Sequence, residues 1–236
     1  MIKKISLQLD KMSTHQLIKS EDGSHTIYLP ELNETYHSTH GALQESKHVF
    51  IKYGLEEVAK KCKEITILEV GFGTGLNALL TIQTAQQLGI TIYYHTLEPY
   101  PLPEEIITGL NYPSYFNSEL QEAFFKIHKA AFEAPVEIIN NFHFTKYKTT
   151  LQDFNAALQD DVVYFDAFAP NKQPEVWSYS NLQKVYDLLK PGGILVSYCA
   201  RGQFKRDLKA LGMQVEALPG PPGKKEMTRG KKPNTV

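Results

Sequence analysis

The sequence predicts an α/β fold of the Rossmann-like type, a mostly parallel sheet with helices on both faces and a small β-rich extension at the N-terminus. Three observations lead to this prediction. Short apolar runs alternate with helical segments between residues 65 and 218, a glycine turn with the letters GFGTG follows the first run, and an acidic residue ends the second. Strands that alternate with helices form parallel sheets, which bind ligands at the carboxyl ends of their strands.

Length and composition agree with one main domain. The chain has 236 residues, 42% hydrophobic and 22% charged, which are ordinary globular values. We expect an N-terminal extension with a substrate loop over residues 1–62 and the main domain over residues 63–236. No run of 18 apolar residues and no apolar leader is present, so a cytoplasmic protein without a membrane partner is expected.

The cysteines and histidines do not indicate a metal site. Cys62 and Cys199 are the two cysteines, and His37, His40 and His48 match no common ligand spacing. Surface or core roles are therefore favoured over metal binding, and no metal is expected.

Within the extension, short β-like segments are predicted at Gln16–Lys19 and His25–Tyr28. The polar stretch ETYHSTHGALQES follows at residues 34–46, and then a helical or extended entry into Gly54–Lys61.

The strand Ile65–Val70 and the helix Gly75–Leu88 enclose the glycine turn. Exposed N–H groups and the positive end of the helix dipole attract an anionic or hydroxyl-bearing ligand there. The pattern E-x-G-x-G-x-G starts at Glu69 and differs from the G-x-G-x-x-G of dinucleotide sites. A tight turn without a ligand remains the alternative for this segment.

The second strand, Thr91–Leu97, runs into Glu98. An ionised carboxylate accepts hydrogen bonds from both hydroxyls of a ribose and donates none, so Glu98 is the candidate ribose ligand. A solvated glutamate at a strand end is the alternative.

The remaining elements follow the same alternation. Pro99–Phe132 is predicted to be a helical insertion, and LKPGG (Leu189–Gly193) a helix stop, a turn and a strand start. Further strands are predicted at Phe142–Lys146, Asp161–Phe165, Ile194–Tyr198 and, as the last strand of a reversed hairpin, Glu226–Lys231.

Asp166 follows the strand Asp161–Phe165, the fourth strand counted from Ile65–Val70, and precedes the apolar Ala167–Pro170, a lip suited to a planar base. Position beside the cleft favours a functional role. An aspartate that caps the next turn is the alternative.

Charge is distributed unevenly along the chain. From residue 201 onward there are nine basic and three acidic residues, whereas the whole chain has a net charge of −1. A basic region on an acidic body attracts phosphates, although a solvated tail has the same composition.

Several motifs carry a resemblance to known methyltransferases. EVGFGTGLN resembles motif I of S-adenosylmethionine (SAM)-dependent enzymes. Together with FDAFAPNKQPEVW, LKPGG, GPPGKKEMTRG and TYHSTHGALQESKHVF, it resembles the methyltransferase domain of the MnmC family, which completes 5-methylaminomethyl-2-thiouridine at the tRNA wobble position. The resemblance extends from Thr35 to Lys231 and implies the stand-alone form, without the family's FAD oxidoreductase domain.

The resemblance implies a class I SAM-dependent fold, SAM as cofactor and the anticodon arm of tRNA as partner, with a separate pathway that supplies the aminomethyl group. It implies Asp166 as the active-site aspartate. The cofactor-binding residues are then Glu69, Gly71, Phe72, Gly73, Gly75, Asn77, Glu98 and Asp166. The substrate-binding residues are Glu45 and Ser46 on an N-terminal loop, Phe168, Pro170, Lys224, Lys225 and Arg229.

The sequence departs from the family pattern in two places. After the third strand, Thr149-Thr150 replaces a Gly-Asp pair that reads the adenine, and Asp153 is the candidate to take over that role. On the N-terminal loop, Gln44 replaces an acidic residue. Two other functions stay open, a methyltransferase for another small-molecule or protein amine and a non-catalytic SAM- or nucleic-acid-binding module.

For the reaction we expect in-line methyl transfer to a neutral amine. With a pKa near 4, Asp166 is a poor base. Its expected role is therefore to accept an N–H hydrogen bond, orient the lone pair and stabilise positive charge, with the proton lost to water.

Overall fold

The structure is a computed structural model that describes residues 15–234. Its strands are β1 (Gln16–Lys19), β2 (His25–Leu29), β3 (Glu34–Thr35), β4 (Glu64–Val70), β5 (Thr91–Leu97), β6 (Val136–Ile139), β7 (Phe142–Tyr147), β8 (Asp160–Phe165), β9 (Leu189–Ser197), β10 (Gln214–Pro219) and β11 (Glu226–Lys231). Its helices are α1 (Ala42–Ser46), α2 (Glu56–Ala59), α3 (Leu76–Leu88), α4 (Glu104–Gly109), α5 (Ser118–Lys129), α6 (Tyr179–Leu188) and α7 (Gly202–Ala210), with a π-helical segment at Lys47–Leu55 and a 3₁₀ turn at Tyr112–Tyr115.

The large sheet has eight strands in the order β10-β11-β9-β8-β4-β5-β7-β6. The five central strands, from β9 to β7, are mutually parallel. The chain moves outward from β4 through β5 to β7, then returns to β8 beside β4 and continues to β9. The order therefore reverses between β4 and β8, and such a reversal opens a crevice at the carboxyl ends of the strands. The predicted mostly parallel sheet is confirmed.

Alternation along the strands buries both faces of this sheet. In β4, Ile67 belongs to one apolar cluster and Leu68 to the other, and both side chains are fully buried. The first cluster includes residues of α3 and α5, and the second includes residues of α6 and α7. Strands buried on both sides read as continuous apolar runs, which is why the sequence located them.

Most predicted strands are confirmed to within one residue, and β11 pairs antiparallel with β9 and β10 as the predicted hairpin requires. At LKPGG the predicted helix stop and strand start are confirmed, because α6 ends at Leu188 and β9 begins at Leu189, but the predicted turn between them was wrong. These residues belong to β9, where Leu189 already pairs with Asp160. An irregularity in register and a φ of +79° at Gly192 let the strand continue through the glycines.

The N-terminal part forms a three-stranded antiparallel sheet, β1-β2-β3. The expected loop around Glu45 and Ser46 is wrong, because both residues lie in α1, which continues through the π-helical segment into α2. Buried apolar residues, among them Ala42, Val49 and Phe50, hold this segment against the main domain. Tertiary packing therefore decides a conformation that the polar local sequence does not favour.

Within residues 15–234, no helix has the length and apolar character needed to cross a bilayer. The same residues contain no group of three or more metal-ligating side chains placed to hold an ion.

Candidate active site

A cleft of about 510 Å³ opens at the carboxyl ends of the parallel strands. Its lining comes from the glycine turn after β4, from Glu98 and Tyr100 after β5, from Thr149–Gln152 after β7 and from Asp166 after β8. Tyr198, directly after β9, also lines the cleft, and the N-terminal part adds residues between 34 and 45. This volume is in the range of cofactor sites.

Three glycines with positive φ build the turn, at +94° for Gly71, +49° for Gly73 and +71° for Gly75. A Cβ at Gly71 would lie 2.6 Å from the backbone oxygen of Asp166, and one at Gly73 would lie 3.0 Å from the ring of Tyr36. The turn thus packs against the end of β8 more closely than any side chain allows.

Two histidines, the buried His37 and the partly buried His128, hold Thr74 in this turn. Nε2 of His37 lies 2.7 Å from the Thr74 hydroxyl, and Nε2 of His128 lies 3.1 Å from its carbonyl oxygen. Burial lowers the pKa of both imidazoles to about 4, so both are neutral at physiological pH. The histidines fix the turn without adding charge to the cleft.

Glu98 lies in the cleft as its predicted role requires. Its Oε2 accepts from the Gly73 N–H and its Oε1 from the Tyr100 N–H, each at 2.8 Å. Burial raises the pKa of Glu98, while these two bonds and Lys146 oppose the rise. Each oxygen can accept a further hydrogen bond, so the carboxylate retains capacity for a hydroxyl-bearing ligand.

Glu69 lies beneath the cleft instead of lining it. Its side chain is fully buried and accepts from the Thr96 hydroxyl at 2.8 Å and from Asn77 Nδ2 at 3.1 Å. Burial raises the pKa of Glu69 to about 8, so it is protonated at neutral pH. Asn77 Nδ2 also donates to Asp166 Oδ2 at 2.8 Å. Glu69 therefore acts on the cleft through Asn77.

The side chain of Asp166 faces the cleft, and its pKa is well above the usual value for an aspartate. Burial, followed by the charge of Glu45, raises its pKa to about 7, although the Asn77 hydrogen bond and Lys224 act in the opposite direction. The pKa near 4 used for the sequence-based mechanism is therefore wrong for the folded protein. At neutral pH this carboxyl group exchanges readily between its two protonation states.

A cluster of Glu45, Tyr198 and Lys224 stands beside Asp166 in the same cleft. Glu45 Oε2 accepts from Lys224 Nζ at 2.5 Å, and Glu45 Oε1 accepts from the Ser38 N–H at 3.0 Å. The same Nζ lies 4.0 Å from the centroid of the Tyr198 ring. The acidic end of the cleft thus holds an internal cation.

Some of the other predicted site residues line the cleft, and others do not. Phe168 lines the cleft and packs edge-on against Tyr36, with ring centroids 5.0 Å apart. Lining residues after β7 are Thr149–Gln152, whereas Asp153 accepts from the Thr150 hydroxyl and does not line the cleft. The predicted residues outside the lining include Gly75, Asn77, Ser46, Pro170, Lys225 and Arg229.

Ser46 and Arg229 have local roles in the structure. Ser46 is fully buried, and its hydroxyl has no hydrogen-bond partner within residues 15–234. The Arg229 guanidinium pairs with Glu216 at 2.7 Å and Glu57 at 3.8 Å. Lys225 is exposed. Substrate binding by Ser46, Lys225 and Arg229 stays a prediction.

Sequence reasoning missed several lining residues. Tyr100 and Tyr198 follow strands, so the carboxyl-end rule would have found them. Tyr36 and His37 come from the N-terminal part, and no local pattern places that part over the glycine turn. Their position depends on contacts between distant segments.

Comparisons with known proteins show which family and relatives the chain is similar to. A family model described as S-adenosyl-L-methionine-dependent methyltransferase matches residues 114–233. The tRNA 5-methylaminomethyl-2-thiouridine biosynthesis bifunctional protein MnmC of Cupriavidus necator is 31% identical over 85% of this chain and 32% of its own length. The MnmC protein of Magnetococcus marinus is 31% identical over 87% of this chain and 32% of its own. The chain thus spans about a third of these relatives.

Among solved structures, MnmC2 from Aquifex aeolicus superposes with a TM-score of 0.77. It is 24% identical and the match covers 96% of this chain and 74% of that one. This likeness supports the fold.

Proposed function

The chain belongs to the family of S-adenosyl-L-methionine-dependent methyltransferases, and we propose that it methylates the amine of 5-aminomethyl-2-thiouridine at the wobble position of tRNA. The product is 5-methylaminomethyl-2-thiouridine. The observation that carries the proposal is the division of one cleft into a glycine-turn half with Glu98 and an acidic half with Asp166 and Glu45. The relatives named for this biosynthesis, 31% identical over most of the chain, support the choice of substrate.

The glycine-turn half fits SAM. The turn has no Cβ at Gly71, Gly73 or Gly75, so ligand atoms can come close to its backbone N–H groups. We assign Glu98 as the acceptor of hydrogen bonds from the ribose hydroxyls and Thr149–Gln152 as the border of the adenine, because all of them line this half of the cleft. Glu69 and Asn77 act from below the turn. When bound, SAM supplies a sulfonium methyl, which leaves sulfur as the lone pair of the amine forms the new N–C bond.

The acidic half suits a cationic amine. An alkylamine has a pKa of about 9 to 10 and reaches the site protonated. Transfer of its proton to a carboxylate with a pKa of about 7 costs about 3 to 4 kcal/mol, compared with about 7 to 8 kcal/mol at a pKa of about 4. Asp166 is therefore proposed as the proton acceptor as well as the group that orients the amine.

Protons balance in this scheme. The substrate ammonium gives one proton to Asp166 and becomes a neutral amine, whose nitrogen carries the positive charge again after methylation. Asp166 then releases the proton to solvent. The hydrogen bond from Asn77 Nδ2 to Asp166 Oδ2 leaves Oδ1 as the proton-accepting atom.

We also propose how the chain is organised and which partner it binds. We assign residues 1–62 to the extension and 63–236 to the catalytic domain, although residues 1–14 lie outside the described part of the chain. The extension contributes Tyr36, His37 and Glu45 to the cleft. The partner is the anticodon arm of a cytoplasmic tRNA, and a separate reaction must install the aminomethyl group.

A methyl-transfer assay tests the proposal. The protein is incubated with labelled SAM and with tRNA that either carries or lacks the 5-aminomethyl group, and the nucleosides are then analysed by mass spectrometry. We expect label in 5-methylaminomethyl-2-thiouridine only with the aminomethylated tRNA. Label in another position, or none in either tRNA, would contradict the proposed substrate.

A further inference from the structure

We propose that Lys224 is an internal substitute for the substrate's ammonium group. In this view its Nζ occupies the amine-recognition site, formed by Glu45, Tyr198 and Asp166, and leaves when the substrate amine enters. The inference rests on the proposed function for the identity of that amine. The contacts that carry it belong to the protein alone.

The contacts of Nζ are those of a bound alkylammonium. It donates to Glu45 Oε2 at 2.5 Å and lies over the Tyr198 ring, 4.0 Å from the centroid. A carboxylate combined with an aromatic face is a favourable environment for an ammonium group, since the ring quadrupole and the anion attract the same charge. Asp166 adds a second acidic group within the electrostatic reach of Glu45.

The two groups that form the walls of this site are held without help from Lys224. Glu45 lies on α1, accepts from the Ser38 N–H through its other oxygen, and its side chain is only 7% exposed. The Tyr198 hydroxyl donates to the Ala167 carbonyl at 2.8 Å. Both orientations therefore persist if the lysine moves.

Lys224, in contrast, is the movable partner. Its side chain is 33% exposed and belongs to the turn before β11. Four methylene groups separate the charge from the backbone, so Nζ can withdraw without a change in the sheet. A second ammonium next to Nζ would be repelled by a like charge, and the two cations therefore compete for Glu45.

Binding of free nucleosides tests this competition without cofactor or turnover. The probes are 5-aminomethyluridine and, as a neutral control, 5-hydroxymethyluridine, with dissociation constants measured by calorimetry or NMR. Lys224→Met keeps the length of the side chain and removes its charge. We expect it to bind the aminomethyl nucleoside about tenfold more tightly than the wild type, with no change for the hydroxymethyl nucleoside.

Two further variants separate recognition from structural support. In the Lys224→Met background, Glu45→Gln should abolish the gain, because the carboxylate that receives the ammonium is lost. Glu226→Gln is the matched control. This substitution removes the 2.7 Å ion pair between Glu226 and Lys205, which lies outside the cleft near the same hairpin. The affinities for both nucleosides should therefore stay unchanged. Melting temperatures verify that each variant is folded.

An unchanged or weaker affinity of folded Lys224→Met for the aminomethyl nucleoside, or no measurable binding at millimolar concentration, overturns the inference. The proposed function fails separately. If the wild type methylates aminomethylated tRNA while Lys224→Met gains nothing, only the lysine's role is wrong. If Lys224→Met gains affinity but no tRNA is methylated, the amine site stands and the tRNA assignment is wrong.

Discussion

Asp166 and Glu69 are linked carboxyl groups whose surroundings give them different proton affinities. Both bind the same amide nitrogen, Nδ2 of Asn77. Glu69, with a pKa raised by burial to about 8, is protonated at neutral pH and supports the amide. Asp166, with a pKa raised by burial to about 7, is near half-protonation. The two carboxyl groups are hydrogen-bonded to the same amide, yet they can have different roles: Glu69 a structural one and Asp166 a chemical one.

Replacement of Asp166 by asparagine should reduce kcat at least about 100-fold, since the proton acceptor and its negative charge are lost together. The melting temperature should change little. In the wild type, kcat/KM should rise with pH through about 7, where Asp166 ionises, because the proposed mechanism uses the ionised form as the proton acceptor. Steady-state kinetics from pH 5.5 to 8.5 measures both effects.

Asp153→Asn serves as the control for this experiment, since Asp153 is exposed and does not line the cleft. Residual activity of Asp166→Asn above about a tenth of the wild-type rate would show that Asp166 is not required for the chemical step.

Helices and strands that are specified by nearby residues could be predicted from the sequence, whereas those stabilised by distant parts of the chain could not. The β4–turn–α3 unit was predicted because its apolar strand, its glycines and its helix are specified within about 25 residues of chain. Helix α1 was not, because the buried partners that stabilise it lie elsewhere in the chain. The same difference explains the site: Glu98 and Asp166 end strands, whereas Tyr36 and His37 reach the cleft through tertiary packing.

The close packing of the glycine turn after β4 can be tested by substitution. Gly71→Ala should weaken SAM binding at least tenfold and lower kcat, because its Cβ would lie 2.6 Å from the Asp166 carbonyl oxygen and must displace the end of β8. Gly89→Ala is the matched control. It also has a positive φ, +59°, but its Cβ would meet nothing within 4 Å. Calorimetry that gave equal SAM affinities for the two variants would contradict this account of the turn.

A buried carboxyl group at the end of the sheet opposite the cleft lowers the stability of the whole fold. Asp160, at the start of β8, is fully buried, and its two carboxyl oxygens have no hydrogen-bond partner within residues 15–234. Burial, followed by the charge of Asp161, raises its pKa to about 8. The unfolded chain releases this proton near pH 4 and the folded protein holds it, so folding loses stability as pH rises from about 4 to about 8.

Asp160→Asn should therefore raise the free energy of unfolding at pH 8 by about 1 to 3 kcal/mol and leave it nearly unchanged at pH 4. Urea denaturation across this pH range measures the effect. Asp187→Asn, on the exposed face of α6, is the control. Equal stability of Asp160→Asn and wild type at pH 8 would mean that this carboxyl group does not retain its proton in the fold.

The uneven charge of the chain gives the last prediction. Lys225 is exposed beside Lys224, and exposed Arg201, after β9, donates to Asn171 at 3.0 Å. Both are placed near the carboxyl edge of the sheet, which the proposed tRNA substrate would have to approach to reach the cleft. In contrast, the Arg229 side chain is only 14% exposed and already pairs with Glu216, which argues against the substrate contact that the sequence predicted for it.

Arg201→Ala combined with Lys225→Ala should consequently weaken tRNA binding and leave SAM affinity unchanged. Each lost phosphate contact should flatten the log–log salt dependence of binding by about 0.7 to 0.9, so the double variant should lose about 1.5. Arg229→Ala, in which an internal ion pair is lost instead, should retain the wild-type slope. Titrations of labelled tRNA at several salt concentrations decide between the two regions. If Arg229→Ala flattens the slope and the double variant does not, RNA approaches along the outer face of β11 and not across the rim of the cleft.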